Sequence, residues 1–204
     1  MKKVQTSQGI WAGLKLTSLL LLLATQTLSA QTVYKLIPGK GTVVNVSGTS
    51  NVHGWNMTST SAESQGVFKL NAKDEIINLS NFSFSTTAKS LKSGKSTMDS
   101  RTYKTMKADQ FPTINYQLKS VDVAMVQHNK YKIQTKGNVT IAGKTQPIAI
   151  VVTAVVNADN SITCTGTTPV KLTDFGIEPP SFMLGAMKVG NDLTIKFDLD
   201  YKAK

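Results

Sequence analysis

Cysteine is almost absent from this sequence. A single residue, Cys164, among 204 cannot build an intrachain disulfide framework. Histidine is nearly as scarce, and His53 and His128 lie far apart with no H-x-x-x-H spacing and no cysteine beside them, so no histidine-rich metal cluster is encoded. Acidic residues number 12 against 23 Lys and Arg, a net charge of +11. Aromatics are 7% of the chain, but 40% hydrophobic content is enough to bury one ordinary core and excludes wholesale disorder or a collagen-like chain. Stability must come from packing.

The only long apolar stretch, Leu14 to Ala24, follows Lys2 and Lys3 and gives way to Thr25, Gln26 and Thr27 before Leu28-Ser29-Ala30. Its Leu19 to Leu23 core falls short of the ~20 apolar residues a transmembrane helix needs. The pattern is that of an export signal over residues 1–30, cleaved near Ala30, which would leave a single domain over 31–204 in the periplasm or outside the cell. No cysteine lies near the cleavage point, so a lipid anchor on a cysteine after the signal is not expected. Removing Lys2, Lys3 and Lys15 takes the charge from +11 to +8. A basic exported protein suits anionic envelope surfaces or an acidic ligand head, and with no nucleic-acid motif no role on DNA is expected.

The remainder reads as strands. Leu193, Ile195, Phe197, Leu199 and Tyr201 alternate with Thr194, Lys196, Asp198 and Asp200, the signature of a strand with one buried and one wet face. The same alternation runs through Val44/Val46, Ile77/Leu79, Ile114/Tyr116/Leu118 and Tyr131/Ile133, the last continuing past Gly137 to Val139/Ile141. Apolar parity switches between Ile77/Leu79 and Phe82/Phe84, and between Leu118 and Val121/Val123, as bulges would require. Ile148 to Val156 is apolar on both parities. Either its outward residues, Ala149 and Ala154, are small enough to stay exposed, or a helix, a terminal segment or a second copy of the chain covers that face. Asn157 to Asn160 forms a turn into Ile162/Cys164, which places Cys164 in the core. Ser96 to Gln110 breaks the pattern and predicts one short helix, capped by Asp99 or Ser100 and ended before Pro112. Many short antiparallel strands with one helix predict an all-β barrel or sandwich.

Catalytic motifs are incomplete. No G-x-S-x-G occurs, Ser93-Gly94-Lys95-Ser96 lacks the first glycine of a phosphate loop, and Asp174-Phe175-Gly176 lacks every other kinase element and reads as a turn. The strongest charge feature is Lys89, Lys92, Lys95, Arg101, Lys104 and Lys107, opposed only by Asp99. It is either a solvated loop face or a cationic mouth for an anionic head group or membrane surface.

Several segments together resemble one family. They are Gly48-Thr49-Ser50-Asn51-Val52-His53-Gly54-Trp55; Met98-Asp99-Ser100-Arg101 leading to Phe111-Pro112-Thr113-Ile114; Gly137 to Thr145; and Asp174 to Ile177 followed by Val189 to Leu193. In order and spacing they are similar to the YceI-like domain family over nearly all of residues 32–204. Met98-Asp99 stands where the better-known pattern has an Arg-Asp pair, and the stretch to Pro112 is shorter. The resemblance implies an eight-stranded antiparallel lipocalin-like barrel with an elongated apolar pocket for polyisoprenoid-type lipids, located in the bacterial periplasm.

On that basis the expected function is a non-catalytic binding or carrier protein for an isoprenoid-type or other long-chain amphiphilic lipid. No cofactor or metal is expected beyond such a lipid or a quinone. The candidate wall is Trp55, Phe68, Phe82, Phe84, Ile114, Tyr116, Phe175 and Phe182, chosen as large apolar residues. Arg101 and Lys104 are candidates to meet the head group, with Tyr103 and Met106 at the mouth. Transient membrane contact and a homodimer through Ile148 to Val156 are further expectations. The alternatives are a filled structural or stress-response barrel and a lipid-modifying enzyme, for which His53 is the candidate base.

Overall fold

The computed structural model describes residues 32–39 and 41–204; the expected signal segment lies outside them. The strands are β1 (Thr32–Leu36), β2 (Thr42–Ser50), β3 (Trp55–Ser59), β4 (Glu63–Leu70), β5 (Ile76–Thr87), β6 (Thr113–Gln127), β7 (Lys130–Ile141), β8 (Lys144–Val156), β9 (Ile162–Lys171), β10 (Ser181–Phe182) and β11 (Met187–Ala203). One helix, α1 (Ser96–Thr105), lies between β5 and β6. Antiparallel pairing runs β4-β5-β6-β7-β8-β9-β11. β1 and β2 pair successive stretches of β11, and β3 and β4 pair β2 and β1 in turn. β1 with β2, and β3 with β4, are therefore two interrupted strands, and the sheet closes as an eight-stranded up-and-down barrel. Closure leaves no free sheet at either side of the order.

Alternation decides which side chains enter the barrel. Along β7, Tyr131, Ile133, Thr135, Gly137, Val139 and Ile141 all point inward and are buried. Both anticipated parity switches are present. The β4–β5 register shifts between Gln65 and Val67, opposite Asn81 with its left-handed φ of 50°, and the β6–β7 register shifts between Leu118 and Ser120. Two assignments change. Ile77 faces outward at 48% exposure while Ile76 is buried, because a second shift between Lys69 and Leu70 moves the start of β5 by one residue. Ala154 is fully buried inside, so the outward face of β8 carries Ala149, Val151, Thr153 and Val155 instead.

One end of the barrel is filled. Tyr34, Phe68, Tyr131, Ile162, Leu199 and Tyr201 are packed there with almost no exposure. Ring contacts climb from this floor: Tyr34 to Phe68 at 5.3 Å, Phe68 to Tyr201 at 6.0 Å, Tyr201 to Phe82 at 5.9 Å and Phe82 to Tyr116 at 6.2 Å. Tilted and edge-on rings at such separations add favourable quadrupole contacts to apolar burial. Above the floor, Val46, Ile148, Ile150, Val152, Ile195 and Phe197 also face inward yet are only half-buried. Inward side chains with accessible surface face empty space, so the upper barrel is hollow.

The helix is shorter than expected and capped differently. Lys95 occupies the N-cap position with no side-chain cap, and Asp99 instead reaches back to accept hydrogen bonds from the Ser93 N–H at 2.8 Å and the Ser93 hydroxyl at 2.6 Å. These bonds hold the Asp99 carboxyl below its usual range. Ser93-Gly94-Lys95-Ser96 is thus the lead-in to a helix, not a phosphate loop. Pro112 precedes β6 as expected, and Asp174-Phe175-Gly176 closes a short 3-10 turn, Leu172–Phe175, with Gly176 at φ 66°.

Candidate functional site

The hollow half of the barrel holds a cavity of about 230 Å³, whose accessible wall presents no polar atom. Its lower boundary is formed by Phe68, Leu79, Cys164, Leu199 and Tyr201, and its upper boundary by Trp55, Leu91, Met106, Leu172, Phe175 and Ile177. Two glycines help to keep the space open. Gly137 lies beneath the Tyr116 ring, where an added Cβ would come within 2.6 Å of the ring, and Gly166 lies against Phe197, its cross-strand partner. A missing side chain lets each ring lie against the wall instead of projecting into the lumen.

Three of the hydroxyls that line the lumen, on Tyr116, Thr135 and Tyr201, are satisfied within the wall. The Tyr116 hydroxyl donates to Thr135 Oγ1 at 2.9 Å, and Thr135 donates to the Ile150 carbonyl at 3.2 Å. Ser64 and the Tyr201 hydroxyl are 2.9 Å apart at the floor. Burial raises the Tyr116 and Tyr201 hydroxyls above their ordinary value and pushes the Cys164 thiol up to about 12, with Asp200 and Asp198 adding to the last. The titratable side chains of the wall are Cys164, Tyr116, Tyr201 and Lys171. His53 lies outside it, on the exposed turn between β2 and β3, its ring Nδ1 2.8 Å from the Gly54 carbonyl. An imidazole there does not reach the lumen, so it cannot act as a base on a buried chain.

Of the sequence candidates, Trp55, Phe68, Phe82, Phe84, Met106, Ile114, Tyr116 and Phe175 come together around the cavity. Four others do not. Tyr103 turns away and donates to the carbonyls of Lys89 at 3.0 Å and Leu91 at 2.8 Å, clamping the segment before α1. Phe182 belongs to the β10–β11 hairpin outside the wall, where the Arg101 guanidinium stacks 4.5 Å from its ring centroid. Lys104 is exposed on α1. The helix contributes Thr102 and Met106 to the mouth while Arg101 and Lys104 stay on its solvent side, as the 3.6-residue period separates them.

Sequence reasoning passed over much of the wall, including Met57, Val139, Ile148, Ile150, Ile195 and Phe197. Strand parity alone assigns all of these inward, but parity does not separate a lumen from a filled core. Around the mouth stand Lys92, Lys95, Lys104, Lys107, Lys171 and Lys188 on exposed positions, while Lys89 is paired with Asp109. Lys92 lies over the Tyr103 ring at 5.2 Å. A second, polar cleft sits near the filled end between β5 and β6, lined by Asn78, Ser80, Asn81, Ser83, Gln117 and Ser120 among others.

Solved structures share this architecture. BcnA of Burkholderia cenocepacia is 20% identical, with a TM-score of 0.63 over 81% of this chain and 98% of that one. A polyisoprenoid binding domain from Saccharophagus degradans is 10% identical, with a TM-score of 0.63 over 85% and 99%. The YCEI protein of Campylobacter jejuni is 14% identical, with a TM-score of 0.52 over 68% and 80%. No curated protein sequence matches this chain. The YceI-like domain pattern matches residues 34–201, which span every barrel strand; the chain belongs to the YceI-like domain family.

Proposed function

We propose that this protein binds and carries an amphiphilic lipid of isoprenoid or other long-chain type, with the tail in the barrel cavity and the head group at the basic mouth. One observation carries the reading: a cavity of about 230 Å³ whose accessible wall has no polar atom. That space is large enough for several water molecules but offers none of the two to four polar partners a buried water needs. An apolar chain satisfies it. The name of the Saccharophagus degradans relative, a polyisoprenoid binding domain of the same fold, supports the same ligand class.

Each chain carbon moved from water into the cavity gains about 0.8 kcal/mol, but a bilayer interior offers nearly the same. Selection between bilayer and barrel therefore rests on the head group and on pocket shape. Exposed Lys104 and Arg101 on α1, beside the Thr102 and Met106 positions that line the mouth, supply cations for a phosphate or donors for a quinone oxygen. The role is one of holding and delivery without chemistry on the lipid. It is exercised in the periplasm or outside the cell after cleavage near Ala30.

Native mass spectrometry of the protein purified without detergent, followed by organic extraction, tests the proposal. The expected result is one lipid per chain, with a hydrocarbon tail and a polar end. Protein recovered at its bare sequence mass, and still empty after incubation with isoprenoid lipids, overturns it.

A further inference from the structure

The hairpin that joins β10 to β11 has an unusual tip. Met183 and Leu184 occupy its turn, 71% and fully exposed respectively, and touch no core. Both adopt left-handed backbone, at φ 54° and 56°, followed by Gly185 at 91°. Asn and Gly favour such positions, whereas long apolar side chains are disfavoured there. The tip thus combines a backbone conformation unsuited to these residues with a solvent exposure unsuited to their chemistry. Backbone hydrogen bonds from the Gly185 and Ala186 N–H groups to the Phe182 and Met183 carbonyls hold the turn, but neither apolar side chain is buried by it. Strain of this kind gathers where a segment serves a partner.

A second apolar residue stands beside the tip. The β2–β3 turn carries Val52 at 61% exposure, and its Asn51 fastens the two turns together by donating from Nδ2 to the Ala186 carbonyl at 2.9 Å and accepting at Oδ1 from the Lys188 N–H at 2.8 Å. The hairpin also meets α1 through the Arg101–Phe182 stack, which places it at the mouth end of the barrel. Arg101 meets the hairpin through Phe182 and Lys188 belongs to it opposite Ser181, with Lys104 exposed three residues along α1 from Arg101; the acidic residues nearest in sequence are Glu178 before the hairpin and Asp99, already committed to Ser93. An apolar tip flanked by cations is complementary to a surface that is anionic outside and hydrocarbon beneath.

We propose that the Phe182–Ala186 hairpin, together with Val52, is a membrane-docking prong that inserts Met183 and Leu184 into the interface of an anionic bilayer and sets the barrel mouth against it. The inference rests on the carrier reading for its purpose, since a mouth held at the bilayer lets a tail pass between lipid and cavity without crossing water. The occupant is a phospholipid surface. A second copy of the chain is the competing occupant.

Flotation of the purified protein with vesicles of phosphatidylcholine containing phosphatidylglycerol, beside pure phosphatidylcholine, tests it. The informative variant is Met183→Asn with Leu184→Asn, because asparagine accepts left-handed backbone and leaves the turn intact. The expected results are binding to the anionic vesicles that weakens with salt, and a loss of about tenfold or more in the double variant at unchanged melting temperature. Equal binding by the variant, or no vesicle binding by the parent protein, overturns the proposal. A change in oligomeric state by the variant, with vesicle binding intact, overturns it in favour of self-association. Mass spectra of the same preparations separate the two readings: lipid-loaded protein that ignores vesicles fails only the prong, and vesicle-bound protein that never carries lipid fails only the carrier.

Discussion

Tyr131 sits on the barrel floor with 1% of its surface exposed, and its hydroxyl has no hydrogen-bond partner. An unpartnered buried hydroxyl costs about 1–3 kcal/mol of desolvation. Tyr131→Phe is therefore expected to raise stability by about 1 kcal/mol, read as a higher urea midpoint at unchanged slope; a lower midpoint would mean the hydroxyl has a partner after all. Cys164 makes a second residue-scale prediction. With its thiol pushed up to about 12 by burial, Cys164 stays protonated at pH 8, and disulfide reagents are expected to label it only in denaturant. Burial of Cys164 was legible from its phase with Ile162. The role of Tyr103 was not, because its hydroxyl answers two backbone carbonyls, and carbonyls leave no mark in a sequence.

Among the elements, α1 depends on one carboxylate. Asp99 ties the Ser93–Lys95 lead-in to the first turn, and the Ser93 hydrogen bonds made on folding lower its pKa below the ordinary 3.8. Its contribution is complete above that value and is lost as pH falls through the lower native one. Asp99→Ala is accordingly expected to lower the melting temperature at pH 7 and to leave it unchanged at the acid limit, where the parent carboxyl is protonated too. In β9, Gly166→Ala forces the Phe197 ring toward the lumen. The expected outcome is a destabilisation of about 1–3 kcal/mol together with reduced lipid uptake in the extraction assay.

The strands themselves were legible where period-two alternation was uninterrupted, as in β7 and β11. Ile77 was misplaced because a bulge displaces parity without altering composition. Ala154 was misplaced because a run apolar on both parities hides its own phase.

For the whole molecule, strand number, alternation and the two bulges left a barrel or a sandwich open, and it was the resemblance to the family that pointed to a closed eight-stranded barrel. Hollowness did not follow, since Ile195 and Phe197 have the same sequence pattern whether their side chains meet neighbours or vacancy. A lipid that binds only the folded barrel is expected to stabilise it by about 2.7 kcal/mol at a hundredfold excess over its dissociation constant, so delipidated protein should melt earlier and recover on reloading.

Girth at the rim follows from one asymmetry in the sheet. β8 and β9 pair only from Val152 to Val156 against Ile162 to Gly166, near the floor; above this the two diverge, and the Leu172–Phe175 turn bridges them, with Gln146 donating to the Asp174 carbonyl at 2.6 Å. The seams on its two sides, β7–β8 and β9–β11, stay paired up to Ile141 and Lys171, while this one is unstitched at the top. On the proposed carrier reading, parting the Gln146–Asp174 bridge would widen the rim for a thicker tail, with the basal lacing left untouched.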